Sequence, residues 1–226
     1  MRTLIIGDIH GCASELFDLL DKAALGAEDR ILALGDLVDR GPAPRRVYEF
    51  FRDTPQAQSL RGNHEDNHLR MRAGELTPRL GQLLTRWHLD EEYAAALAYF
   101  ERLPLYVELE EALLVHGFLE PGIALEAQAR RVMLGTLSAE ARLKRDYDRP
   151  WYELYTGEKP LLVGHRDYSG EQQLFVYEER IYGLDTRCVY GGWLTGLVLP
   201  DWRFIQVKAR RNHWGRIRES FTAPNE

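Results

Sequence analysis

The chain has 226 residues, 45% of them hydrophobic and 28% charged, with a formal net charge of -6. That balance excludes a disordered chain. It also excludes the broad basic face of a protein that grips nucleic acid along its length. The two cysteines, Cys12 and Cys188, lie in no CxxC pattern, so no disulfide framework is expected and free thiols in the cytoplasm are. The apolar run near the N-terminus is too short for a signal peptide, and no stretch approaches a membrane span. The length fits one α/β domain over 1–226.

In chain order, RTLII at 2–6 reads as a buried strand stopped by Gly7-Asp8. Residues 14–25 carry apolar positions at helical spacing, with Ser14 placed as an N-cap. RILAL at 30–34 is a second apolar run ending at Gly35-Asp36, and Pro42 and Pro44 open a helix over 45–52. A third run at 58–60 leads to Arg61-Gly62-Asn63-His64. This order predicts a parallel βαβαβ unit, whose ligands sit beyond the carboxyl ends of the strands. A helical insertion is expected over 65–103, a hairpin over 105–115, another helical stretch over 126–145, and β-structure from 160 onward. A polar, mobile tail is expected over about 213–226.

The chemistry sits at the strand ends. GDIHG at 7–11 presents Asp8 and His10; GDLVDRG at 35–41 presents Asp36, Asp39 and Arg40; GNHE at 62–65 presents Asn63 and His64. VHG at 115–117 and VGH at 163–165 add His116 and His165. Carboxylate, imidazole and carboxamide donors suit Mn, Fe, Zn or Mg. Asp8, His10, Asp36, Asn63, His116 and His165 are too many ligands for one tetrahedral zinc, so a pair of metals is expected, with Asp36 as the bridge. Such a pair activates a shared water and clamps an in-line phosphoryl displacement. His64 is placed to protonate the leaving oxygen, Asp39 to orient His64, and Arg40 to hold phosphate in a bidentate fork.

These motifs resemble the phosphoprotein phosphatase branch of the calcineurin-like metallophosphoesterases, a likeness that covers the motif ends of roughly residues 3–208. The resemblance implies two facing mixed sheets flanked by helices. It implies a first metal on Asp8, His10 and Asp36, and a second on Asp36, Asn63, His116 and His165. His64 with Asp39 matches its catalytic pair, and Arg40 a phosphate-binding arginine. A second phosphate-binding arginine is expected between the last two histidine ligands: Arg149 is the best match by spacing, with Arg142 and Arg145 as alternatives. Two divalent ions follow, Mn first, with Fe or Zn, Mg and Ni as alternatives.

The expected activity is hydrolysis of phosphate esters by a metal-bridging hydroxide. A serine/threonine-type phosphatase or broad phosphomonoesterase is the first reading. The segment GLDTRCVYGGWLTGLVLP at 183–200 resembles diadenosine tetraphosphate hydrolases and makes that activity the alternative. HGFLEP at 116–121 and GHR at 164–166 depart from the usual HGGLSP and GHT at the edge of the site. The substrate partner is then a phosphoprotein or a phosphorylated small molecule or nucleotide, with no membrane partner. His68, His88 and His213 are expected in ordinary structural roles, and Cys12 as a small packed residue. Asp185 either orients His165 or ends a strand. Trp193, Trp202, Phe204 and Trp214 are expected to pack.

Overall fold

The side chains of the first strand alternate between two cores, and that alternation sets the architecture. The structure is a computed structural model that describes residues 1–222. β1 (Thr3–Ile6) sends Leu4 and Ile6 toward helices and Ile5 toward a second sheet. Then come α1 (Ala13–Ala23), β2 (Arg30–Ala33), α2 (Pro44–Asp53) and β3 (Ala57–Ser59). The 65–103 segment holds α3 (Asn63–Arg72), α4 (Leu80–Leu89) and α5 (Tyr93–Arg102). β4 (Tyr106–Glu108) and β5 (Leu113–Val115) form the expected hairpin, followed by the short α6 (Arg130–Met133) and α7 (Leu137–Asp146). β6 (Leu161–Val163), β7 (Phe175–Tyr177), β8 (Ile181–Gly183), β9 (Trp193–Leu199), β10 (Arg203–Lys208) and α8 (His213–Thr222) complete the chain.

Two mixed five-stranded sheets result, in the orders β10-β9-β1-β2-β3 and β4-β5-β6-β8-β7. The parallel trio β1-β2-β3 runs from the centre of the first sheet to its β3 edge, and the trio β5-β6-β8 fills the centre of the second. Registered residues Ile5 and Leu32 of the first sheet and Leu114, Leu162 and Tyr182 of the second meet in one core between the sheets. The opposite faces pack on α1 and α2 on one side, and on α6, α7 and Trp151 on the other. This is the sandwich expected from the motif resemblance.

Three local expectations change. α1 begins at Ala13, because the Cys12 carbonyl accepts the first helical bond from Leu16 N–H at 3.0 Å; Cys12 stands at the N-cap position and makes no side-chain cap. Ser14 is therefore inside the first turn and caps nothing. Pro44 takes the first helical position of α2, where its missing N–H costs no bond. The expected mobile tail is instead the helix α8 over its described residues: His213 is buried, and Trp214 packs on the core with its N–H donating to the Val189 carbonyl. Of the other aromatics expected to pack, Trp202 and Phe204 lie against Tyr182, and Lys208 sits over Trp193.

Candidate dinuclear metal centre

Each proposed ligand stands just beyond a parallel strand. Asp8 follows β1, Asp36 follows β2, Asn63 opens α3 after β3, His116 follows β5 and His165 lies two residues past β6. Turning so sharply at a strand end forces unusual backbone. His10 (φ 47°), Asp36 (φ 53°), Asp39 (φ 70°), Arg40 (φ 67°) and His165 (φ 66°) are all left-handed, a conformation that costs energy for residues with a Cβ. Gly62 is required by close approach, since a Cβ there would meet Asp36 N at 2.5 Å. Glu65 holds the resulting loops. Its buried carboxylate accepts from the N–H groups of Asp36 (3.0 Å), Leu37 (2.9 Å) and Gly62 (2.9 Å).

The ring nitrogens give the strongest chemical information. His116 Nδ1 lies 2.9 Å from the Leu34 carbonyl, which can only accept, so Nδ1 carries the proton. Burial holds the ring neutral, with its pKa lowered to about 3. The Nε2 lone pair then faces Asn63 Oδ1 at 3.1 Å and Asp36 Oδ1 at 3.5 Å. His10 repeats the pattern: Nδ1 donates to Val38 O at 2.9 Å, and Nε2 faces Asp36 Oδ2 at 3.6 Å and Asp8 Oδ2 at 3.9 Å. Asn63 Oδ1 also lies 2.9 Å from His165 Nδ1. The Nε2 lone pairs of His10 and His116 converge from two sides on the two oxygens of Asp36, with no proton between ring and carboxylate. Such an arrangement fits divalent cations on either side of a bridging carboxylate.

The electrostatics agree. Burial, followed by the charges of Asp185 and Asp36, pushes the Asp8 carboxyl well above the usual carboxylate range. Burial and Glu65 do the same to Asp36. Burial pushes His10 and His165 well below the usual imidazole range, helped by Arg40 and by His116 respectively. Buried acids and bases that resist charging are what a site built around cations presents by itself. Arg40 is the only cation in hydrogen-bond contact with a proposed ligand among the described residues, with Nη1 2.9 Å from His10 Nε2.

His64 sits beside this cluster with Nε2 4.0 Å from Asp36 Oδ2, and its N–H donates to Asp36 Oδ1 at 3.0 Å. Its Nδ1 donates to Asp39 Oδ2 at 2.6 Å. Asp39 is fully buried and accepts from four side chains: His64, Gln82 (2.7 Å), Thr85 (2.7 Å) and His68 (2.9 Å). Burial alone would raise its pKa, but His68 and His64 outweigh burial and hold it well below the usual range, as a lasting carboxylate. His68 thus departs from the ordinary role expected of it. His213 is buried and hydrogen-bonded to Glu15 at 2.8 Å, and His88 lies beside Trp87 on α4.

The arginines divide. Arg40 is placed at the cluster, over the Tyr190 ring. Arg149 is exposed and has no hydrogen-bond or ion-pair partner among the described residues. It lines a cavity of about 490 Å³ with Phe118, Glu140 and Arg166, and only Phe118 of these packs on His165. Arg142 is committed to Glu120 and Arg145 to Asp146. Arg166, next to His165 and paired with Glu140, bears on the His165 charge and was not anticipated as a site residue. Asp185 lies two residues past the end of β8, and its charge falls on Asp8 rather than on His165. Glu65, Gln82 and Thr85 were also missed. Glu65 stands inside the RGNHE motif, where its position was a usable signal; Gln82 and Thr85 carry none.

The pattern of the calcineurin-like phosphoesterases matches residues 1–192. The chain belongs to that family. Its metallophosphoesterase activity, and the divalent ions that go with it, follow. Relatives within the family include bis(5'-nucleosyl)-tetraphosphatase PrpE (asymmetrical) of Halalkalibacterium halodurans, 28% identical over 93% of this chain and 95% of its own. A symmetrical bis(5'-nucleosyl)-tetraphosphatase of Janthinobacterium is 24% identical over 92% and 96%. Among solved structures, a candidate diadenosine tetraphosphatase superposes with a TM-score of 0.71 at 27% identity, covering 92% of this chain and 93% of that one. A protein serine/threonine phosphatase of Saccharomyces cerevisiae shares the fold, with a TM-score of 0.60 at 16% identity over 92% and 79%.

Proposed function

We propose that this phosphoesterase hydrolyses dinucleoside tetraphosphates, using two Mn ions held by Asp8, His10 and Asp36 on one side and by Asp36, Asn63, His116 and His165 on the other. The observation that carries the metal assignment is the convergence of unprotonated ring nitrogens and carbonyl-type oxygens on Asp36. The substrate class is supported by the relatives' names across nearly their whole lengths and by the tetraphosphatase-like segment 183–200. Phosphomonoesters, phosphoproteins included, are the second reading, carried by the phosphatase-like motif set.

When bound, the metals supply Lewis acidity and an activated water. The protein supplies the rest. Arg40 offers its guanidinium fork to the phosphate oxygens and gives up His10 Nε2 to do so. As an imidazolium, protonated on both ring nitrogens, His64 would offer its Nε2 proton to the leaving oxygen, while Asp39 accepts from Nδ1 and stabilises that charge. Phe118 and Trp151 keep the His165 side dry. No helix among the described residues is long and apolar enough to cross a membrane. The free thiols of Cys12 and Cys188 support a place in the cytoplasm.

The test is a side-by-side assay with Mn on diadenosine tetraphosphate, phosphoserine peptide and phosphotyrosine peptide. A kcat/KM at least ~100-fold higher on the dinucleotide, about 2.7 kcal/mol of transition-state preference, is expected. The reverse preference rejects the substrate class and leaves the second reading in place. Chromatography of the products separates symmetrical cleavage (two ADP) from asymmetrical cleavage (ATP and AMP).

A further inference from the structure

The seam between α1 and α8 gathers a second set of metal-type side chains that the phosphoesterase centre does not use. Cys12 and Glu15 come from the start of α1 and His213 opens α8; one donor atom from each lies within 4.8 Å of the others. Cys188, from the loop between β8 and β9, lies against the Cys12 thiol, with its sulfur just outside that group of three. All four residues are buried, and Glu15 has no exposed surface.

Glu15 carries the second observation. Its Oε1 accepts from His213 Nε2 at 2.8 Å and from Arg210 N–H at 3.0 Å, while its Oε2 is buried with no hydrogen-bond partner. Buried polar atoms are nearly always satisfied, and a carboxylate oxygen is among the costliest to leave bare. A bare oxygen grouped with a thiol and an imidazole, with a second thiol against the first, calls for a cation. Two thiolates, one imidazole and one carboxylate make a closed four-ligand set, suited to tetrahedral zinc and too soft for Mg or Mn.

We propose that Cys12, Glu15, Cys188 and His213 form a structural zinc site that fastens α8 to α1. On binding, both thiols release their protons to solvent. His213 turns from hydrogen-bonding Glu15 to giving its ring lone pair to the ion. The four ligands come from three segments far apart in sequence, so the ion ties the chain's last described helix to its first.

Cobalt(II) added alone to the chelator-stripped full chain tests this. A thiolate-to-cobalt charge-transfer band in the near ultraviolet reports only on this site, because no sulfur belongs to the phosphoesterase centre. The band is expected in the wild type and in Asp36→Asn, to be displaced by zinc, and to vanish in Cys188→Ser. His213→Gln, which spares both thiols, should weaken cobalt binding at this band by at least about tenfold. Absence of the band in the folded wild type overturns the site, as does a band that survives Cys188→Ser. Should Cys188→Ser fail to fold by circular dichroism, unchanged cobalt affinity in His213→Gln overturns it instead. None of these readouts depends on the phosphoesterase substrate.

Discussion

The two sheets bring different chemistry to their common edge. β1, β2 and β3 end in the oxygen donors Asp8, Asp36 and Asn63, with His10 the single imidazole among them, whereas β5 and β6 end in His116 and His165. The first group stands amid other charges: Glu65 under its loops, Asp185 against Asp8, and Arg40 over His10. The second is backed by packing, with Phe118 on the His165 ring and Gly135 so close that a Cβ would lie 2.7 Å from it. The oxygen side therefore sets the charge of the centre and the imidazole side sets its shape. Asp36 faces His10 with one oxygen and His116 with the other, and Asn63 Oδ1 faces His116 and His165.

Substitutions can break that contrast. The largest effect is expected for Asp36→Asn: loss of both metals by elemental analysis and a kcat drop of about a thousandfold or more. His165→Asn should remove one metal only. Equal losses in the two variants would mean that Asp36 is no bridge. His64→Asn should lower kcat by ~10²–10⁴ with metal content unchanged, which steady-state kinetics and elemental analysis check together. Next comes Arg40→Ala, where loss of a charge-assisted fork worth about 1.5–3 kcal/mol should weaken kcat/KM roughly 10–100-fold. Arg149→Ala, exposed and outside the cluster, should stay within about twofold. Removing Gln82 or His68, each one bond to Asp39, should cost kcat about tenfold while KM holds.

The smallest effect lies far from the chemistry. Glu15, bonded to His213 and Arg210, has its pKa lowered from 4.5 to about 2 despite burial. A lowered carboxylate pKa stabilises the fold above the unfolded value and ceases to do so as pH falls. With chelator present, up to about 3 kcal/mol should therefore be intact above pH 4.5 and lost progressively toward pH 2. Thermal melts of wild type and Glu15→Gln should converge over that window; parallel curves would count against it.

The strand ends were legible because each couples an apolar run to a glycine and a ligand within five residues. Their parallel order followed from the helices between them. The Asp39 cradle was not legible, since Gln82 and Thr85 reach it across more than forty residues from a helical segment with no motif. α8 was hidden for another reason. Its sequence is polar and its anchors are single residues, His213 and Trp214, whose partners lie on α1 and in the Cys188 loop. Spacing before His165 pointed to Arg149, which stands exposed on a cavity it shares with Phe118 and Arg166.

Glu65 changes what loading this enzyme means. By holding the Asp36 and Gly62 peptides with a buried carboxylate, the chain shapes its ligand loops with an anion of its own making. The loops that carry Asp36 and Asn63 therefore owe part of their shape to the chain's own hydrogen bonds, and a change at Glu65 would reach both ligands at once without touching either side chain.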